Sequence, residues 1–312
     1  MQEHIFYIPL IHLEHGLRKT YKLCHGFSLL PFPDNLEKEY RLFGHGYFRR
    51  RHGDLVVKEA KGSYCLEYIR PPEKFKSAGE VIYRLEDPAI TFIIVLRLIK
   101  PTEVAFKGIF FAPALTEGLP FEFIDYRLSS FHPRTLDEKS RPVKGQQLDR
   151  FTETDLPNII FYFGRLLDLL KNEYHYRRLF NTLRYFDLGY RSGNIDSRLL
   201  YFSIAMEVLF KPLKGKLTRG MCERVSRFLR KKGSEEGQIY KRFVEIIDFR
   251  ARIIHGDMTY VDLSKPDKVE LVHDLEHFLR LSLQKIFRYD DLVETFSSLQ
   301  EREKYFTSQD MI

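Results

Sequence analysis

The chain has 312 residues, 44% of them hydrophobic and 30% charged, with 27 Phe, 18 Tyr and no Trp, a composition that excludes the disordered classes and fits a globular protein with an aromatic bias. Its length accommodates two domains of about 100 to 200 residues each, and its net charge of +7 favours an anionic partner wherever the excess is local. The three cysteines, Cys24, Cys65 and Cys222, form no CxxC pair, which argues against a zinc knuckle or a disulfide framework and for a reducing cytoplasm.

Residues 1–130 read as β-rich. Candidate strands are 5–11, 21–29, 55–58, 64–69, 81–85, 90–99, 104–111 and 121–128, separated by Gly and Pro. The run 91–99, TFIIVLRLI, has the continuous hydrophobicity of a strand buried on both faces. It is too short to cross a bilayer, so no membrane partner is expected. The start, MQEHIFYIPLIHLEHG, has no signal-peptide layout. His12, His15, Cys24 and His25 are metal-ligand types, but their spacing reads as loop and sheet-surface positions rather than a metal site. The cluster His45, Arg49, Arg50, Arg51 and His52 reads as a solvated turn, with a nucleic-acid grip as the sharper alternative.

Residues 131–154 are polar, contain Pro133, Pro142 and Gly145, and form the candidate linker. Helical periodicity begins at Asp155-Leu156-Pro157 and continues through Ile159, Phe163, Leu166 and Leu170, with proline in the first turn where its missing donor costs nothing. A second helix runs from Tyr174 to about Gly189, and a third, capped by Asn194 or Asp196, carries Leu199, Ile204, Met206 and Glu207. A carboxylate among apolar neighbours needs either a cationic partner or access to water. An arginine of a later helix is the candidate partner.

Residues 211–232 hold nine Lys or Arg against one Glu. Lys214, Lys216 and Arg219 of this segment are candidate phosphate contacts, with an ordinary charged helix face as the alternative. The next helix, from about Glu236 to His255, is expected to bury Ile239, Phe243, Ile246, Ile247 and Ile254 and to present Arg250 and Arg252 elsewhere. Two guanidiniums beside an imidazole make a phosphate-handling set. At about 100° per residue, Arg250 and His255 diverge by about 140° on one ideal helix. They converge if the helix closes at His255 on a left-handed Gly256, or if a second copy lies across a two-fold axis. The last long helix, from Lys268 to about Tyr289, carries His273 and His277 four apart, a pair that can share a metal but has no third ligand identifiable in sequence.

The run RARIIHG, preceded by IYKRFVEIIDF, resembles the signature of the HEPN superfamily, an arginine and a histidine separated by four to six residues. The segment DSRLLYFSIAMEVLF, with Ala205-Met206-Glu207, resembles the helix that carries an Ala-Leu-Glu triplet in the branch related to Apea-like HEPN domains. The resemblance covers roughly the C-terminal half. It implies an all-α domain at 155–312 that dimerises and, in active members, cleaves RNA with no metal or other cofactor. Carried onto this chain, Arg250 would hold the scissile phosphate, His255 would act on the attacking 2′-hydroxyl or the leaving oxygen, and Glu207 would orient one of them. Arg252, Lys214, Lys216 and Arg219 would add RNA contacts. Many active members carry Asn, Asp or His after the arginine, whereas this chain has Ala251. That departure keeps a catalytically inactive module, binding RNA, a nucleotide or a protein partner, as the alternative. By analogy with such families, phage defence or a toxin–antitoxin pair, with an antitoxin or regulatory protein as partner, is the expected setting. The whole chain is thus expected to be α+β, a β-rich N-terminal domain followed by a helical bundle.

Overall fold

The computed structural model describes residues 4–13, 15–34, 40–42, 47–70, 78–112, 121–125, 150–215, 217–230, 235–263 and 265–308. The chain is α+β and divides into two compact units between Asp168 and Leu169. Among the described residues, the first contains seven strands: β1 (His4–Leu10), β2 (Tyr21–Lys22), β3 (Phe27–Pro31), β4 (Tyr40–Leu42), β5 (Tyr64–Arg70), β6 (Gly108–Ala112) and β7 (Phe121–Asp125). They form one sheet in the order β2-β3-β5-β1-β6-β7-β4. Every pairing is antiparallel except β4 with β7.

The central strands are covered on both faces. On one face, Phe6 stacks on Phe111 at 4.8 Å and Phe27 on Tyr68 at 4.3 Å. Helix α2 (Ala78–Ile99) brings Phe92 and α3 (Leu156–Leu170) brings Phe163 to this face. Phe163 meets both Phe92 and Phe27 edge-on, at 5.0 and 5.3 Å, geometries that suit the aromatic quadrupole. On the other face, Val56 and Ala60 of α1 (Tyr47–Ala60) pack with Cys65, Phe110 and Phe32. Tyr7 lies opposite Glu67 across the β1–β5 ladder. Burial first, and then the hydrogen-bonded Glu67 carboxylate, pushes the Tyr7 phenol up to about 12.

Three expected strands are helical. Residues 55–58 belong to α1, and 81–85 and 90–99 belong to α2. Ala89, Phe92, Ile93, Val95, Leu96 and Leu98 are all buried. A helix buried on every side loses the polar face that would reveal its period, so its sequence resembles a two-sided strand. Pro88 reads as a break, yet α2 continues through it. The expected strand 21–29 is split into β2 and β3 by a turn at Cys24–Gly26, where His25 and Gly26 take φ of 51° and 81°.

The expected linker lies outside the described residues up to 149. Its end is packed into the first unit: Phe151 is buried and bridges His15, and the Thr152 N–H donates to Asp155 Oδ2 at 2.8 Å. Lys100 donates to the same oxygen at 2.8 Å. Most of α3, through Asp168, belongs with the sheet, whereas the sequence reading assigns it to the helical domain. Its amphipathic stripe identifies a helix but not what the stripe packs against.

The second unit contains α4 (Arg177–Arg191), α5 (Ile195–Phe210), α6 (Leu217–Leu229), α7 (Glu235–Ile254), α8 (Tyr260–Leu263), α9 (Pro266–Arg288), α10 (Asp290–Ser297) and α11 (Leu299–Ser308). Helix α5 is central, with Leu199, Phe202, Ser203, Ala205, Met206, Leu209 and Phe210 buried. Helix α4 approaches it closely, because a Cβ on Gly189 would lie 2.2 Å from Phe202 Cε1. Phe210, Phe228, Phe296 and Phe306 form an aromatic cluster beneath the end of α5. No helix among the described residues is long and apolar enough to cross a membrane.

Candidate functional site

The site begins with the stripe of α7. Phe243, Ile246 and Phe249 are buried. Seven residues beyond Phe243, Arg250 returns to within about 20° of it on a helix of ~100° per residue. Arg250 therefore lies on the core-facing stripe and not, as the sequence reading places it, on another face. Its side chain is three-quarters buried, and the charge it carries needs an anion. Glu207, in the last turn of α5, supplies one: Arg250 Nη2 lies 2.8 Å from Glu207 Oε1. The other carboxylate oxygen, Oε2, accepts from Lys211 Nζ at 3.0 Å. One carboxylate thus bridges two cations and leaves one net positive charge. Arg250 Nε is buried and has no hydrogen-bond partner among the described residues.

The turn that carries Glu207 is held from below. Arg302 of α11, 2% exposed, donates through Nη1 to the carbonyls of Val208 and Leu209 at 2.6 and 3.2 Å, and through Nη2 to that of Lys211 at 2.7 Å. Arg178 of α4 donates to the Val208 carbonyl at 2.7 Å. These cations satisfy and complement the negative end of α5. Burial lowers Arg302 to about 10, still charged at neutral pH. Its neighbour Glu303 also pairs with Arg224 through two contacts of 2.7 Å.

The end of α7 closes at Gly256, the first of the two routes by which the sequence would let Arg250 and His255 converge. Gly256 has φ 77°, its N–H bonds the Ile253 carbonyl at 3.1 Å, and the Asp257 N–H bonds the Arg252 carbonyl at 2.8 Å, the paired bonds of a Schellman closure. His255 stands at this cap, exposed, and no hydrogen bond, ion pair or ring contact of its side chain is found among the described residues. No side-chain hydrogen bond joins Arg250 to His255 within the chain. Ile254, expected in the core, is 53% exposed. It continues the stripe of Phe243 and Arg250 but is the last residue of α7.

Among the other candidates, Arg252 and Lys214 are exposed. Arg219 is engaged with Glu223 at 2.9 Å. Lys216 lies outside the described residues, as does His45, and the side chains of Arg49, Arg50, Arg51 and His52 are likewise undescribed, although 47–60 is helical rather than a turn. His277 Nδ1 lies 3.0 Å from Arg280 Nη2, and a guanidinium there competes with any metal for the ring lone pair. Among the described residues, no group of three or more His, Cys, Asp or Glu is placed to hold a metal ion.

Lys211 and Arg302 escape the sequence reading. Lys211 was within reach of it, since a Glu and a Lys four apart on a helix face each other. Arg302 has no local signal, because its partners are about ninety residues earlier in the chain. Comparison with protein-family models, curated proteins and solved structures returns no match, so the chain's function is read from these residues alone.

Proposed function

We propose that this chain is a metal-independent endoribonuclease of HEPN type that works as a homodimer through its helical unit. The observation that carries the reading is the 2.8 Å pair between Arg250 and Glu207, which joins the two separate segments that bear the HEPN resemblance. Arg250 grips the scissile phosphate and stabilises the charge that grows on it, because a fixed guanidinium in a partly dry site acts without reorganisation. The ribose 2′-oxygen attacks its own phosphorus. The 2′-proton passes to a base, the bond to the 5′-oxygen breaks, and that oxygen takes a proton, leaving a 2′,3′-cyclic phosphate.

One imidazole per active site would have to perform both transfers. A two-fold axis supplies two, one to accept and one to donate. The exposed cap position of His255 and the uncovered Ile254 beside it support that arrangement. Arg252 and Lys214 would add salt-sensitive backbone contacts. Phage defence, or a toxin restrained by an antitoxin, is the proposed cellular setting, on analogy with the resemblance.

The test is labelled RNA incubated with the full chain in chelator, beside Arg250→Ala and His255→Ala. Cleavage that persists in chelator and falls by about 10²-fold or more in each variant is expected. Cleavage that chelator abolishes, or that ignores both substitutions, overturns the reading. A second reading, an inactive module that binds RNA, a nucleotide or a protein, is favoured by Ala251 at the position where active members carry a polar residue. It predicts RNA binding that depends on Arg250 without any cleavage.

A further inference from the structure

We propose that Lys211 is a second phosphate ligand of the Arg250 site, joining Arg250 on the phosphodiester backbone of single-stranded RNA. This rests on the reading of the helical unit as an RNA-acting module and goes beyond the residues that the resemblance points to.

The argument starts from the bridging carboxylate. Glu207 takes one donor from Arg250 and one from Lys211, through different oxygens. A guanidinium has five N–H donors and an ammonium three, so both cations keep donors for another anion. Two non-bridging phosphate oxygens are spaced much like the two oxygens of a carboxylate, so cations that straddle one can straddle the other. The Lys211 side chain is 46% exposed and Arg250 25%, which leaves a solvent side on which RNA can approach.

Lys211 also differs from Lys214 in standing on a backbone that is held on both sides. Its N–H bonds the Glu207 carbonyl at 3.0 Å, and its own carbonyl accepts from the buried Arg302 at 2.7 Å. Pro212, which follows, packs so tightly on Gly220 that a Cβ there would lie 2.8 Å from Pro212 Cγ. Lys214 is exposed without comparable support, and the Arg219 guanidinium is engaged by Glu223. A preorganised cation loses less freedom on binding than a mobile one. Lys211 is therefore better placed than Lys214 or Arg219 for a defined phosphate position beside Arg250.

The bland alternative is an i,i+4 ion pair on a helix end, which contributes little. The two differ in how binding depends on salt. The probe is a short, fluorescently labelled oligoribonucleotide with 2′-O-methyl riboses, which cannot be cleaved by 2′-hydroxyl attack, titrated with the full chain across a salt series. Lys211→Ala is expected to weaken binding by about tenfold and to reduce the log–log salt slope by about 0.7, the loss of one phosphate contact to a single strand. Lys211→Gln, one atom shorter than lysine but still polar and without charge, is expected to lose the same slope and guards against a folding defect in the alanine variant. Lys211→Arg is expected to retain both quantities, and Lys304→Ala, on α11 and paired with Glu301, to alter neither.

A wild-type slope in both neutral variants overturns the proposal while leaving the RNA reading intact. Binding with a Lys211-dependent slope, but no cleavage of unmodified RNA, sustains the proposal and removes the nuclease. A wild-type chain that does not bind the probe removes both.

Discussion

Two arginines serve the last turn of α5 in opposite ways. Arg302, from below, spends its guanidinium on three backbone carbonyls and Glu303 and is 2% exposed. Arg250, from the side, makes one ion pair with Glu207 and keeps a quarter of its side chain in solvent, and the buried Nε of each arginine is without a hydrogen-bond partner among the described residues. A buried cation whose two terminal nitrogens are both engaged by its own protein holds structure. A fixed cation with donors to spare is poised for an anion from outside. Both cations stand on one helix end, and the first positions the second through Glu207.

The largest effect expected from that contrast is on stability at Arg302. Arg302→Met removes the side-chain donor from the Leu209 and Lys211 carbonyls, leaves the Val208 carbonyl with Arg178 alone, and gives the Glu303 carboxylate one fewer cation. Breaking a buried, multiply bonded ionic group costs about 3–5 kcal/mol, read as a lower urea midpoint at unchanged slope. Arg250→Ala is expected to cost about 1 kcal/mol or less, as partly exposed pairs do, while removing cleavage. An Arg250→Ala loss as large as that of Arg302→Met would dissolve the distinction between the two.

Next in size is Gly189→Ala. The added carbon would sit 2.2 Å from Phe202 Cε1, so α4 and α5 must separate or the ring must leave its rotamer, at about 1–3 kcal/mol. This change is remote from the chemistry. The folded fraction is therefore expected to keep its RNA affinity, which tests whether damage to α5 alone, rather than to its charged end, disables the site.

The local parts of this arrangement are legible in the sequence. The left-handed closure at Gly256 depends on a few neighbouring residues, and a carboxylate at 207 among apolar residues asks for a cation. The parts that depend on distant packing are not. Whether residues 90–99 are strand or helix is decided by burial on all sides, which erases the period that would tell them apart. Ile254 obeys the stripe of α7 but is its last residue and stays exposed. Arg302 looks like any arginine on a charged C-terminal helix until the chain folds back onto α5.

A smaller effect is expected with acid. Glu303 is held at about 2, first by hydrogen bonds from Arg224 and then by those from Arg302. A carboxylate depressed from its ordinary 4.5 contributes stability that is fully present above that value. The contribution is lost as pH falls from there through about 2. Glu303→Gln is expected to flatten this part of the stability–pH curve and to leave its shape above pH 5 unchanged. A curve that keeps its slope would assign the acid sensitivity to other carboxylates and detach Glu303 from the support of α5.

The smallest stability change is expected at Ile254, where the comparison is most exposed to failure. Because its side chain is 53% exposed in the single chain, Ile254→Gln is expected to alter unfolding free energy by about 0.5 kcal/mol or less. The same substitution places a polar amide on the stripe that continues from Arg250 to the end of α7. If two copies meet there, it weakens their association and shifts the sedimentation profile toward monomer. Cleavage should fall with the dimer and recover at high protein concentration. A stable Ile254→Gln chain that stays dimeric would move the interface elsewhere on the helical unit. His255 would then stand apart from its counterpart in the second copy, and the two proton transfers would lose their second imidazole.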